Sequence, residues 1–98
     1  MAQFDVYRMA DGELVVDVQT DLLGSFDSRV VVPLMLPADA PIKHQRFNPE
    51  VVIEGKTYVM VTQFMIAVDR PALRDRIDNL DRNYDQLKLA YDMLFNGF

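Results

Sequence analysis

Cysteine is absent from the 98 residues, so a disulfide framework, a thiolate metal site and a cysteine nucleophile are all excluded. Tryptophan is absent too, and histidine occurs once, at His44. His44 stands between Lys43 and Gln45-Arg46 in a proline-containing segment. No HExxH or His-x-His partner accompanies it, so the sequence offers no metal site and implies no cofactor. The four glycines form no GxxxxGK[ST], GxGxxG or GxSxG pattern. Phosphate cradles and nucleophile elbows therefore find no support, and catalytic residues are predicted to be none. No apolar run approaches the length that spans a bilayer. The start, Met1-Ala2-Gln3-Phe4-Asp5, lacks the basic and apolar segments of a signal peptide. A cytoplasmic protein with no membrane partner is expected. Positive charge is also in short supply, with ten basic residues against fifteen acidic ones, a formal charge of −5. Arg70, Arg74, Arg76 and Arg82 are interleaved with Asp69, Asp75, Asp78 and Asp81, which predicts a solvated mixed-charge stretch. Direct binding of nucleic acid by this chain alone is accordingly not expected.

What is present is an apolar half and a set of short β patterns, enough for one domain over 1–98. Gln3 to Arg8 alternates with period two, and Glu13 to Gln19 answers it with Leu14, Val16 and Val18 on one face. Val15 interrupts the opposite face, which Asp17 and Gln19 keep polar. Asp11-Gly12 between them predicts a tight hairpin whose two central residues have positive φ. Asp21 to Ser28 reads as a loop. Arg29 to Leu36 is a continuous apolar run rich in β-branched residues, hence a central strand buried on both faces, with a bulge or an edge at Pro33. Pro37, Pro41 and Pro49 break up the longest loop. Val51 to Ile53 and Lys56 to Thr62 flank Glu54-Gly55 as a second hairpin, and Gln63 to Val68 gives a further strand ended by Asp69-Arg70-Pro71. The strands are thus expected within 3–68. A helix is expected over about 81–95, with Leu80, Tyr84, Leu87, Tyr91 and Leu94 as its apolar stripe. Asp81 is predicted as its N-cap and Asn96-Gly97 as its stop. Asp78, Asp81, Asp85 and Asp92 align along one face of that helix, with Arg82 and Lys88 near enough to pair with some of them.

Three apolar residues in the first loop, Leu22, Leu23 and Phe26, have no periodic reason to be there. They either plug the end of a barrel or form a contact surface. Phe95 and Phe98 pose the same question at the chain's end, where residues are usually polar. Phe98 has a structural reading, as the residue past a Schellman-type stop that packs back on Met93. Leu89, Met93 and Phe95 lie off the main stripe of the helix, and a helix apolar on more than one side has a second partner. A symmetry-related helix is the simplest one.

Five blocks resemble the CcdB family of toxin–antitoxin modules. They are Gln3-Phe4-Asp5-Val6-Tyr7, Val16-Asp17-Val18-Gln19-Thr20-Asp21-Leu22-Leu23, Arg29-Val30-Val31-Val32-Pro33-Leu34, Val59-Met60-Val61-Thr62 and Met93-Leu94-Phe95-Asn96-Gly97-Phe98. The resemblance implies a mainly β (α+β) fold: an SH3-like antiparallel barrel of five to seven short strands with a C-terminal α-helix, homodimeric through that helix, with Leu89, Met93 and Leu94 in the interface. It implies a binding toxin, not an enzyme, that traps the DNA gyrase–DNA cleavage complex by wedging between the two A subunits. It also implies neutralisation by a CcdA-like antitoxin whose disordered segment folds on docking. Carried onto this sequence, the gyrase-binding residues are Leu22, Leu23, Asp92, Phe95, Asn96, Gly97 and Phe98. Arg8, Met9, Asp11 and Gly12 are the expected antitoxin contacts. Two departures stand out: Asn96 takes the place of the Trp in the Trp-Gly-Ile ending of the best-known members, and Asp92 adds a negative charge. The alternatives are a MazF/Kid-like endoribonuclease toxin on the same fold, or a non-toxic antitoxin-binding homologue.

Overall fold

The computed structural model describes residues 2–23 (Leu23 by its backbone only), 26–41 and 43–97. Seven strands form one curled antiparallel sheet: β1 Asp5–Arg8, β2 Leu14–Asp17, β3 Ser28–Met35, β4 Glu50–Ile53, β5 Lys56–Met60, β6 Ile66–Asp69 and β7 Asp75–Asn79. Their order is β4-β5-β3-β2-β1-β7, with β6 pairing β3 beside β5. One helix, α1 Tyr84–Asn96, follows. The expected mainly β architecture with a terminal helix is what the chain adopts.

β3 is the hub because its apolar run can be buried on both sides. On one side it pairs with β2 from Leu14↔Leu34 to Asp17↔Val31. On the other it pairs with β6 through residues 28–31 and with β5 through Leu34 and Met35. Pro33 falls in the gap where that second partner changes. Its missing N–H costs nothing there, its carbonyl accepts from the Val61 amide, and the register with β2 runs on without a bulge. The Glu54-Gly55 hairpin is as expected, with both residues at positive φ, 51° and 80°. The first hairpin is not. Only Gly12 has positive φ, the loop runs from Met9 to Glu13, and the Asp11 carboxylate accepts from the Glu13 amide in an Asx turn.

The sheet is buried on two faces. The larger core takes Val6, Leu14, Val16, Val18, Val32, Leu34 and Met60 against Leu80, Leu87 and Ala90. Tyr7, Val15, Val31 and Leu73 form a second core behind it, so Val15 is no break in the pattern but a member of that face. Phe4 locks the helix to the sheet. Its ring meets Tyr84 edge-on at 5.5 Å and Tyr91 at 6.5 Å. The Phe4 backbone, at a φ of 70°, is fixed in that unusual conformation by bonds to the Asp17 carbonyl and the Leu80 amide.

Three expectations need correction. Strands do not stop at residue 68: β7 pairs with β1 along the stretch expected to be solvated charge. As an edge strand covered on one side, it carries Arg76 and Asp78 in ion pairs, to Asp5 at 2.8 Å and Arg82 at 2.9 Å. The helix begins at Tyr84 after a 3-10 turn over Asp81–Asn83, and Asp81 caps nothing; the Asn79 side chain accepts the Asp81 amide. Asp78 and Asp81 therefore lie before the helix and do not share a face with Asp85 and Asp92. The Gln63–Val68 strand is divided, a 3-10 turn over Thr62–Phe64 preceding β6.

Candidate partner-binding site

The side chains left out of both cores define the site. Leu22, in the 3-10 turn Asp21–Leu23, is 91% exposed, and Phe26 beyond it is 55% exposed. The loop leucine therefore does not plug the barrel. At the other end of the chain Phe95 is 68% exposed on the last turn of α1, with Asn96 and Gly97 also exposed. Gly97 stops the helix in the left-handed region at φ 78°, its amide bonded to the Met93 carbonyl. Asp92, one turn earlier, is half-buried and pairs with Lys88 at 3.2 Å. This pairing raises the Lys88 pKa and gives the tail's negative charge a local partner. Phe98 and the side chain of Leu23 lie outside the described residues.

The last turns of α1 thus bring Asp92, Phe95, Asn96 and Gly97 together. Leu22 stands on a separate element, and among the described residues no ring contact or hydrogen bond joins it to them. Leu89 and Leu94 are 43% and 39% exposed, and Met93 is half-buried. Leu94, expected at the end of the buried stripe, lies outside the core; Ala90 fills the buried face with Leu87. Further exposed apolar residues escaped the sequence reading, among them Phe64, in the 3-10 turn that packs beside α1, and Ile66 at the start of β6. Their i, i+2 spacing, with Met65 half-buried between them, was the available signal.

The polar frame of the Leu22 turn joins Asp17 and Gln19, which alternation assigned to a polar face, with Arg29 at the start of β3. Asp17 and Arg29 are fully buried, and Arg29 binds the Asp17 carboxylate at 2.7 Å. The other carboxylate oxygen accepts from the Gln19 amide at 3.0 Å. Burial pushes the Asp17 carboxyl up, against the pull of Arg29 and the Gln19 amide. The Gln19 side-chain oxygen accepts the Val30 amide at 3.1 Å, and the Asp21 carboxylate accepts the Gln3 amide at 2.6 Å.

The expected antitoxin residues occupy the opposite turn of the first hairpin. Arg8 pairs with Glu54 at 2.9 Å. Arg8 and Gly12 line a 310 Å³ concavity with Leu14, Leu34, Met35 and Tyr58. Met9 packs against the second core. His44 is exposed, and its Nδ1 accepts the Phe47 amide at 3.4 Å, a loop contact. A 550 Å³ groove separates His44, Gln45 and Arg46 from Leu89, Met93 and Gly97. Among the described residues no three His, Cys, Asp or Glu side chains gather as metal ligands. The arrangement offers apolar and amide contacts to a surface; phosphodiester chemistry would need a basic cleft with an acid–base pair.

A solved structure described as an endoribonuclease from mycobacterial species matches with a TM-score of 0.74, over 97% of this chain and 90% of that one, at 13% identity. At that identity the likeness concerns the fold alone. No match is found among curated proteins. Residues 3–97 match the family described as CcdB protein, which spans both the Leu22 turn and the helix tail. This chain belongs to the CcdB family, whose members are toxins of toxin–antitoxin systems.

Proposed function

We propose that this protein is a gyrase-directed binding toxin that acts as a homodimer and is neutralised by a CcdA-like antitoxin. The observation that carries the reading is the exposure of Leu22 and Phe95, two large apolar side chains, one in the first loop and one on the last turn of α1. On this reading those positions meet the gyrase A subunit, and two-fold symmetry offers a way to bring turn and tail surfaces from two chains into one wedge. Asn96, with its side-chain amide, contributes hydrogen bonds where a larger aromatic would contribute area, and Phe95 supplies the aromatic anchor one residue earlier.

An endoribonuclease reading has less support. Arg29 is fully buried in its ion pair, His44 makes no ion pair among the described residues, and the net charge opposes approach to RNA.

The test is purified gyrase with supercoiled DNA, scored for cleaved complexes, beside an RNA-cleavage assay. Wild-type protein should accumulate cleaved DNA and leave RNA intact. Leu22→Ala and Phe95→Ala should each raise the concentration needed by about tenfold or more, as truncation of a hot-spot side chain does, with unfolding midpoints unchanged. Cut RNA with untouched gyrase would overturn the proposal.

A further inference from the structure

A fully buried ion pair needs an explanation other than stability. Taking two charges out of water costs several kcal/mol per ion, and apolar residues of like volume often serve the core as well or better. The Asp17–Arg29 pair has no solvent exposure on either side, and Arg29 Nη1 is buried without a hydrogen bond among the described residues. An unmet buried donor adds its own cost, on the order of 1–3 kcal/mol.

The geometry points to a different role. β2 ends at Asp17, and the chain leaves the sheet at Gln19 to make the Leu22 turn before returning as β3. Among the described residues, the side-chain hydrogen bonds of the pair that do not join its two members land on Gln19. The Asp17 carboxylate takes the Gln19 amide, and Arg29 Nη2 approaches the Gln19 carbonyl at 3.4 Å. Gln19 then uses its side-chain oxygen in place of a strand carbonyl, accepting the Val30 amide just past the last paired residues, Asp17↔Val31. The departing and returning arms of the loop are thereby fastened to each other at one point. The turn itself is fastened by Asp21 to the Gln3 amide and, at the far end, by the Asp27 carbonyl accepting the Arg70 amide.

We propose that Asp17, Arg29 and Gln19 are a positioning unit that holds the Leu22 turn in its presented conformation, and that they act on partner binding without touching the partner. This rests on the reading that Leu22 is a contact residue. It accounts for a buried charge pair by what it orients, since charged hydrogen bonds fix direction where apolar packing does not.

The experiment compares the intact protein with Asp17→Leu/Arg29→Met, Gln19→Met and Leu22→Ala. Three quantities are measured: the unfolding midpoint, backbone NMR order parameters at residues 21 and 22, and gyrase cleavage complexes. The double variant should keep or raise its midpoint. Order parameters in the turn should fall from roughly 0.85 towards 0.6, and poisoning should weaken by about tenfold, approaching that of Leu22→Ala. Gln19→Met leaves the ion pair in place and should loosen the turn with a small fall in midpoint from the unmet Val30 amide; it carries the test if the double variant fails to fold. Rigid turns in the folded variants would overturn the positioning role. Loosened turns with poisoning unaffected by Leu22→Ala would instead remove Leu22 as a contact while leaving the role of the unit in ordering the turn intact.

Discussion

Asp5 receives four hydrogen bonds on two oxygens. Oδ1 takes Arg76 Nε at 2.8 Å and Asn79 Nδ2 at 2.9 Å; Oδ2 takes the Ala2 amide at 2.8 Å and the Tyr7 hydroxyl at 3.4 Å. Burial alone would raise the carboxyl pKa, but Asn79, the Ala2 amide and Arg76 together outweigh it and hold the group below its ordinary value. A lowered folded pKa means that the unfolded chain binds more protons through that range. The stability from Asp5 is therefore complete above the unfolded pKa, about 4, and is lost as pH falls through the lower folded value. Asp78 behaves alike because the Arg82 guanidinium lowers its pKa. Asp17 has the opposite sign: its contribution is present below the unfolded value and is lost as pH rises through the raised folded one. Asp5→Asn should be less stable than wild type at neutral pH and converge with it below about pH 4. Denaturant midpoints across that range check this; parallel curves would show that the carboxylate's charge is irrelevant.

Among the elements, the two outer strands of the sheet path, β4 and β7, are the ones a curled sheet must protect. One side chain spans them. Arg82, just ahead of α1, forks onto the Asp78 carboxylate of β7 at 2.9 and 3.1 Å and donates to the Val52 carbonyl of β4 at 2.8 Å. A fourth bond, to the Asn79 carbonyl at 2.8 Å, fixes the guanidinium plane. Arg82→Ala should cost about 1 kcal/mol, since the pair is half in solvent and screened. The loss should appear as faster hydrogen exchange along β4 and β7 and leave β3 unchanged; uniform acceleration would mean that no seam exists. This closure shows where the sequence was legible. β1 to β5 declare themselves by alternation, β-branched runs and turn residues, and α1 by its stripe. β7, Asp75-Arg76-Ile77-Asp78-Asn79, carries one apolar residue, so no pattern marks it; its pairing with β1, distant in sequence, makes it a strand. The exposed ends of the site were legible because Leu22 and Phe95 broke local patterns. Asp17 and Arg29 were not, because a buried ion pair looks in sequence like the outward face of a strand.

The described chain, 32 × 29 × 22 Å, leaves several large apolar side chains uncovered. Phe64 and Ile66 on one flank, Leu89 and Leu94 on the helix, and Leu22 and Phe26 on the loop are all more than a third exposed. Scattered single residues are ordinary on any surface, but here the helix and the 3-10 turn over Thr62–Phe64, which lie side by side, each carry exposed apolar residues. A domain of this length buries only about two thirds of its unfolded surface, so covering such a face would add substantially to a modest stability. A second copy supplies an identical face, which is what a two-fold interface needs. The protein should therefore sediment at the mass of two chains at micromolar concentration. Leu94→Glu should shift it to one chain and lower its thermal midpoint, because a charge would be desolvated across the two-fold. The proposed wedge draws on surfaces from both copies, so on that proposal the same variant should lose gyrase poisoning even though Leu94 is not among the residues proposed to touch gyrase. Wild-type protein that sediments as a single chain while still accumulating cleaved DNA would show that one copy carries a complete surface, and the symmetric interface would have to be abandoned.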